Sequence, residues 1–141
     1  MPLLDPHLPY EIEISVQPSD IDQLGHVNNV VYLKWTQEIA TAHWYASATK
    51  EQQMTLLWVV TRHEIEYKRP SFIEDTVVAR TWIGKATHRF FERYTDFHRK
   101  SDGKLLVKVK TLWVPVDFKT KRPVLVGKEV YEMFSIQDRF E

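Results

Sequence analysis

Ten consecutive residues, Asp20-Ile21-Asp22-Gln23-Leu24-Gly25-His26-Val27-Asn28-Asn29, gather two carboxylates, an imidazole, a glycine and two asparagines. A carboxylate held beside a polarised carbonyl acts as a general base or a nucleophile. The oxyanion that forms on such a carbonyl needs N–H donors. A helix start supplies them, because its first N–H groups have no partner inside the helix and carry a partial positive potential. Gly25 lets the backbone come close to a ligand or adopt a positive φ. Taken alone, Asp22 reads better as an Asx turn or as a charge stabilising the helix start than as a catalytic group. Asp20 reads as a loop hydrogen bonder, and His26 as a residue that orders the loop or touches a ligand.

The elements around this stretch decide whether it sits at a helix start. Tyr10, Ile12, Ile14 and Val16 alternate with Glu11, Glu13, Ser15 and Gln17, which is a half-buried strand ended by Pro18. Past the polar loop the period changes. Val31, Trp35, Ile39, Ala42 and Ala46 recur at helical spacing, and Val30, Leu33, Ala40 and Trp44 widen the stripe. A stripe this wide predicts a helix covered on most sides, capped by Asn28 or Asn29 and fraying near Ser47 to Lys50. Four strands follow. Leu57, Val59, Thr61, His63, Ile65 and Tyr67 alternate up to Lys68-Arg69-Pro70, then Val77, Ala79, Thr81 and Ile83, then Phe91, Arg93, Thr95 and Phe97. The hairpin signal Ser101-Asp102-Gly103 leads into Leu105, Val107, Val109, Thr111 and Trp113. A short helix is expected over 127–134. Short turns make the sheet antiparallel, and one helix must cover it, so the class is α+β.

Composition narrows the chemistry. The chain has 141 residues, a size that fits one domain, 1–141, and an apolar fraction of 43%, enough for a real core. Basic and acidic residues number 19 each, so no electrostatic footprint for nucleic acid or a membrane surface exists, and weak self-repulsion tolerates an oligomer. The absence of cysteine excludes disulfides, thiolate metal sites and a cysteine nucleophile. No Gly-rich phosphate loop or serine nucleophile elbow is present. His43, His63, His88 and His98 lie on separate elements without ligand spacing, which reads as ordinary strand and helix histidines and no metal site. Residues 1–9 hold three prolines but no basic region followed by an apolar run, and no stretch is long and apolar enough to span a bilayer. A cytoplasmic protein is expected.

The pattern Asp20-x-Asp22-x-x-Gly25-His26-Val27-Asn28-Asn29-x-x-Tyr32, after an alternating strand and before a wide apolar helix, resembles the hotdog-fold acyl-CoA thioesterases of the 4-hydroxybenzoyl-CoA thioesterase type. The likeness extends over nearly the whole chain. Ile65-Glu66-Tyr67-Lys68-Arg69-Pro70 with Asp75 resembles that family's second-strand exit, and Trp113-Val114-Pro115-Val116-Asp117 its last strand. The resemblance implies a curved antiparallel sheet wrapped around one long central helix. It implies Asp22 as the catalytic carboxylate, acting directly or through water, and the backbone N–H of Asn29 as the group polarising the thioester carbonyl. Gly25, His26, Asn28 and Tyr32 would shape the acyl site. It further implies a homodimer with a continuous sheet and the active site at the subunit interface, with dimers pairing into homotetramers.

An acyl-CoA substrate brings phosphates, for which Lys68, Arg69, Lys85, Arg89 and Arg93 are candidates, Arg69 and Arg89 foremost. Water is the other substrate, and no cofactor is implied. The five tryptophans Trp35, Trp44, Trp58, Trp82 and Trp113 sit at periodic positions, which reads as core or interface, with one or two lining an acyl tunnel. Two other readings compete: an enzyme acting on acyl-carrier-protein thioesters, and a non-catalytic acyl-CoA-binding module on the same fold. The intact Asp22 and Gly25 argue against the second.

Overall fold

The computed structural model describes residues 8–134. Residues 1–7, part of the segment read above as carrying no signal sequence, lie outside them, as do residues 135–141 of the 1–141 span. In chain order come β1 (Tyr10–Ser15), a 3-10 turn over Pro18–Asp20, α1 (Asn29–Ser47), α2 (Lys50–Thr55), β2 (Leu56–Tyr67), β3 (Thr76–Ala86), β4 (Phe91–Arg99), β5 (Leu105–Asp117) and α3 (Lys128–Phe134). Every strand pairing is antiparallel, and the sheet order is β1-β3-β4-β5-β2. One long helix against one face of this sheet is the α+β hotdog arrangement that the strand–helix–strands order and the resemblance both predict.

Register sorts the inner face into rungs. Ile12, Ala79, Phe97, Val107 and Tyr67 make one, and Tyr10, Thr81, Thr95, Val109 and Ile65 the next. A third holds Ile83, Arg93, Thr111 and His63, and a fourth Phe91, Trp113 and Val60. The alternation in β3, β4 and β5 matches the sequence reading. β2 departs from it. A bulge between Val60 and Arg62 inserts one residue, so Trp58 and Val60 share the inner face with His63 and Ile65, while Leu57 and Val59 fall on the other side. Val59 is accordingly 46% exposed. A single extra residue reverses every assignment on one side of it.

The helix also differs from expectation. In the single chain α1 buries one stripe, Tyr32, Trp35, Thr36, Ile39, Ala40, His43, Trp44 and Ser47, and leaves Gln37, Glu38, Thr41 and Tyr45 exposed. It is therefore covered on one side, not most sides. The buried line is rotated away from Val31, Ala42 and Ala46, and half its members, Tyr32, Thr36, His43 and Ser47, are polar, the first three with partners inside the chain. Thr36 Oγ1 donates to the Tyr32 carbonyl at 2.7 Å, and Tyr32 and His43 bond to the sheet side. The segment after α1 does not simply fray. Thr49 and Gln52 form a capping box that starts α2.

Two apolar clusters result. Tyr32, Trp35, Ile39, Val77, Ala79, Phe97 and Val107 pack at the amino-terminal half of α1. Trp44, Ile83, Phe91, Val126, Val130 and Phe134 pack at its carboxyl-terminal half, under α3. Each fully buried Phe or Ile contributes about 2–3 kcal/mol of transfer free energy. Between the clusters runs a buried polar belt of Thr36, His43, Thr81, Arg93, Thr95 and Thr111.

Candidate functional site

The loop from Ile21 to Val27 is closed by its own backbone. Ile21 and Val27 form an isolated antiparallel bridge. Inside it the Asp22 N–H donates to the His26 carbonyl at 3.0 Å, and the Gly25 N–H to the Asp22 carbonyl at 3.0 Å. This turn requires a positive φ at Gly25, observed at 82°, which L side chains reach only with strain. Asp22 Oδ1 accepts the Leu24 N–H at 2.8 Å, an Asx turn. The other carboxylate oxygen of Asp22 has no partner among the described residues. Asp22 is half-buried, and Leu24 at the tip is 78% exposed.

Asn28 caps α1 as expected, with Oδ1 accepting the Val30 N–H at 3.1 Å. Its carbonyl takes the Val31 N–H at 2.9 Å. These two bonds leave the N–H of Asn29 without an acceptor among the described residues, at the positive end of α1's dipole. Asp20 anchors the loop from below: its carboxylate accepts the Gln17 N–H and its carbonyl the Asn28 N–H, both at 2.9 Å.

The β2–β3 connection clamps the loop from the other side. The Val27 N–H donates to the Ser71 carbonyl at 2.9 Å, and the Tyr32 hydroxyl meets Ser71 Oγ at 2.7 Å. Burial pushes the Tyr32 phenol up, so it stays a protonated hydrogen-bonding group. Tyr67 donates its hydroxyl to the Asn29 carbonyl at 3.2 Å. Arg99 reaches in from β4, donating to the Pro70 carbonyl at 2.6 Å and to Asp75 at 3.2 Å. The clamping roles of Ser71, Tyr67 and Arg99 have no signal in their local sequence, because the partners they clamp lie 24 to 44 positions away.

Two surface depressions flank the loop. Ile21, Asp22, Gln23, Leu24 and Asn28 line one. His26, Asn29, Tyr32, Tyr67 and Arg69 are among the residues lining the other. Of the sequence-derived candidates, Asp22, Gly25, His26, Asn28, Asn29, Tyr32 and Arg69 thus gather around α1's start, with Asp22 and Asn29 on adjacent depressions. His26 Nδ1 lies 3.2 Å from the Val27 carbonyl, a loop-internal contact. Arg89 is not among them. It lies in the turn between β3 and β4, whose Thr87 and Phe90 pair, at the end of the sheet away from the loop. Lys85 shares that end, 5.8 Å from the Phe90 ring centroid. Arg93 departs furthest from expectation. It is 5% exposed on the inner face beneath α1, where no phosphate at a cleft mouth reaches it.

A family profile for the acyl-ACP thioesterase N-terminal domain matches residues 8–134. The chain belongs to this family. The hotdog-thioesterase resemblance read from the loop is therefore upheld at family level. No curated protein matches the sequence. Among solved structures, Slr0204, a 1,4-dihydroxy-2-naphthoyl-CoA thioesterase from Synechocystis, superimposes with a TM-score of 0.75 at 15% identity, over 92% of this chain and 96% of that one. YbaW, a probable thioesterase from Escherichia coli, gives 0.74 at 22% identity over 87% and 94%. The 12:0-ACP thioesterase from Umbellularia californica gives 0.75 at 19% identity over 89% of this chain and 49% of that one. At these identities the superpositions establish the shared fold. Among the described residues no helix is long and apolar enough to cross a membrane.

Proposed function

We propose that this chain hydrolyses acyl-CoA thioesters to the free acid and CoA, with Asp22 as general base or nucleophile and the Asn29 N–H as donor to the thioester oxygen. The observation that carries the reading is the pair of unsatisfied groups on one rigid loop. One is a carboxylate oxygen of Asp22 and the other the Asn29 N–H at the start of α1. A carboxylate that keeps one oxygen free can attack a thioester carbonyl, or take a proton from the attacking water. A helix-start N–H stabilises the negative charge that develops on the carbonyl oxygen. This is the division of labour that the likeness to the 4-hydroxybenzoyl-CoA type implies.

His26, Asn28, Tyr32 and Arg69 border the site and are proposed to contact substrate, with Gly25 holding the turn open. Arg89 would serve only across a subunit boundary. Twelve-residue β2 offers a free edge and exposed Val59, which supports assembly of one hotdog unit per chain into a homodimer or homotetramer.

The family match and the Umbellularia structure favour a second reading, an acyl-carrier-protein substrate. The groove beside Asn29 carries two cations, Lys68 and Arg69, and Lys68 is already 2.7 Å from Glu66. So few free cations suit the phosphates of CoA better than a broad acidic carrier surface. Matched C6 to C12 acyl groups on CoA and on carrier protein, assayed by thiol release, separate the readings. Faster turnover of the CoA esters is expected, and faster turnover of the carrier esters would replace this substrate assignment. Tight binding of CoA esters without any turnover would make the chain a binding module.

A further inference from the structure

About 20 Å along α1 from the loop, at 1.5 Å per residue, lies a cavity of about 150 Å³. Trp44, Trp58, Phe91, Trp113 and Phe134 form its aromatic walls, and Thr41 and Tyr45, both exposed, stand at its rim. The rings form a continuous box, Trp44 to Trp58 at 5.5 Å, Trp58 to Phe91 at 4.5 Å and Trp44 to Phe134 at 5.6 Å between centroids. An apolar cavity of this volume accommodates roughly one benzene ring.

Inside the rim, its polar side chains, Arg93 and the tryptophans, carry donors and no acceptor. Arg93 lines the cavity and is buried. One guanidinium nitrogen donates to His43 Nδ1 at 2.9 Å and to Thr81 Oγ1 at 3.1 Å, both neutral acceptors. Burial and the adjacent Arg93 charge push His43 down to about 3, which keeps its imidazole neutral. No carboxylate pairs with Arg93 among the described residues, and burial alone pushes the guanidinium down to about 9. The charge is therefore retained at neutral pH with only neutral hydrogen-bond partners among the described residues. Trp58 and Trp113, which line the same cavity, have buried indole N–H groups with no acceptor among the described residues. Buried donors and a buried unpaired cation are each costly. A buried cation with neutral partners, set in the wall of one aromatic cavity, suits an acceptor-only, negatively charged group on a small apolar body.

We propose that this cavity is a ligand site for a small carboxylate with an aryl or short alkyl body, its ring or chain within the aromatic box and its carboxylate on Arg93. The site lies at the opposite end of α1 from Asp22, and its binding is independent of whether Asp22 hydrolyses thioesters.

Sodium benzoate, with benzamide as its neutral isostere, tests this on the full chain by isothermal titration and by the fluorescence of the lining tryptophans. Saturable binding of one benzoate per chain, at least tenfold tighter than benzamide, is expected. Arg93→Met should reduce benzoate to the benzamide level. Thr41→Trp, at an exposed rim position that leaves the core intact, should abolish binding of both. Equal affinity for benzoate and benzamide, or no saturable benzoate binding to the unmodified protein, would overturn the proposal whether or not Arg93→Met folds. Undiminished benzoate binding to Thr41→Trp would also overturn it, by moving the site elsewhere.

Discussion

His43 makes the stability of this protein steeply sensitive to acid. Its ring is 1% exposed, stacked on Tyr10 at 5.3 Å and edge-on to Phe134 at 5.9 Å, with Nδ1 accepting from Arg93. Protonation would place a second charge beside the buried guanidinium, and burial with that charge pushes the imidazole from 6.5 to about 3. The folded pKa is depressed, so between pH 6.5 and 3 the unfolded chain binds a proton that the folded chain refuses. Stability is full above pH 6.5 and falls as pH drops towards 3. Over that window each pH unit is worth about 1.4 kcal/mol, roughly 4–5 kcal/mol in all. Set against a usual domain stability of about 5–15 kcal/mol, one histidine then accounts for much of the acid lability.

The variant that isolates this is His43→Gln, whose amide oxygen can still accept from Arg93 but does not titrate. Urea unfolding of both proteins at pH 7, 6, 5 and 4, followed by tryptophan fluorescence, gives the difference directly, because carboxylates elsewhere titrate alike in both. Between pH 6 and 4 the unmodified protein should lose about 2.5 kcal/mol more than His43→Gln. Parallel pH dependences would refute the reasoning, since they would mean that His43 carries its proton into the folded state.

Two further outcomes follow from the loop. Gly25→Ala meets no atom within 4 Å of the added carbon, so its cost is the left-handed backbone alone, about 1–2 kcal/mol by chemical denaturation; an unchanged midpoint would mean that the turn is not maintained. Arg99→Ala releases the Pro70 carbonyl and leaves Asp75, whose side chain is 10% exposed, without its ion pair. A loss of roughly 2–3 kcal/mol is expected, together with faster amide exchange at Val27, whose N–H is held by Ser71; unaltered exchange there would uncouple the β2–β3 connection from the loop.

Most of the architecture was legible because burial imposes period. Strict alternation marked β1, β3, β4 and β5, and the switch to helical spacing after Asn29 marked α1. What escaped has a physical reason in each case. The β2 bulge shifts parity at Thr61, and nothing in the residue types there announces an unpaired position. The start of α2 does have a local signal, the Thr49-x-x-Gln52 capping box, within the stretch where the apolar period of α1 fades. Arg93 is more instructive. Its place in the run Phe91, Arg93, Thr95, Phe97 already puts it on the inward face, yet its charge suggested a phosphate ligand. Periodicity gave the correct side of the strand, whereas charge invited the wrong one. The neutral partners of that arginine, His43 and Thr81, lie 50 and 12 positions away, and only the folded sheet brings them together. Around the loop, residues adjacent in sequence were readable as a group, while the clamp by Ser71, Tyr67 and Arg99 depends on strand register.

The central claim is that Asp22 does the chemistry, and Asp22→Asn examines it with little disturbance. The carboxamide oxygen can still accept the Leu24 N–H that fixes the turn, so only the charge and basicity are removed. The measurement is kcat for the best acyl-CoA substrate beside the Kd of a non-hydrolysable CoA thioether, in both proteins. With Asp22 as the reacting group, kcat falls at least 100-fold while Kd stays within about threefold and the unfolding midpoint is preserved. A variant that turns over within threefold of the unmodified protein would contradict that role and remove Asp22 from the reaction.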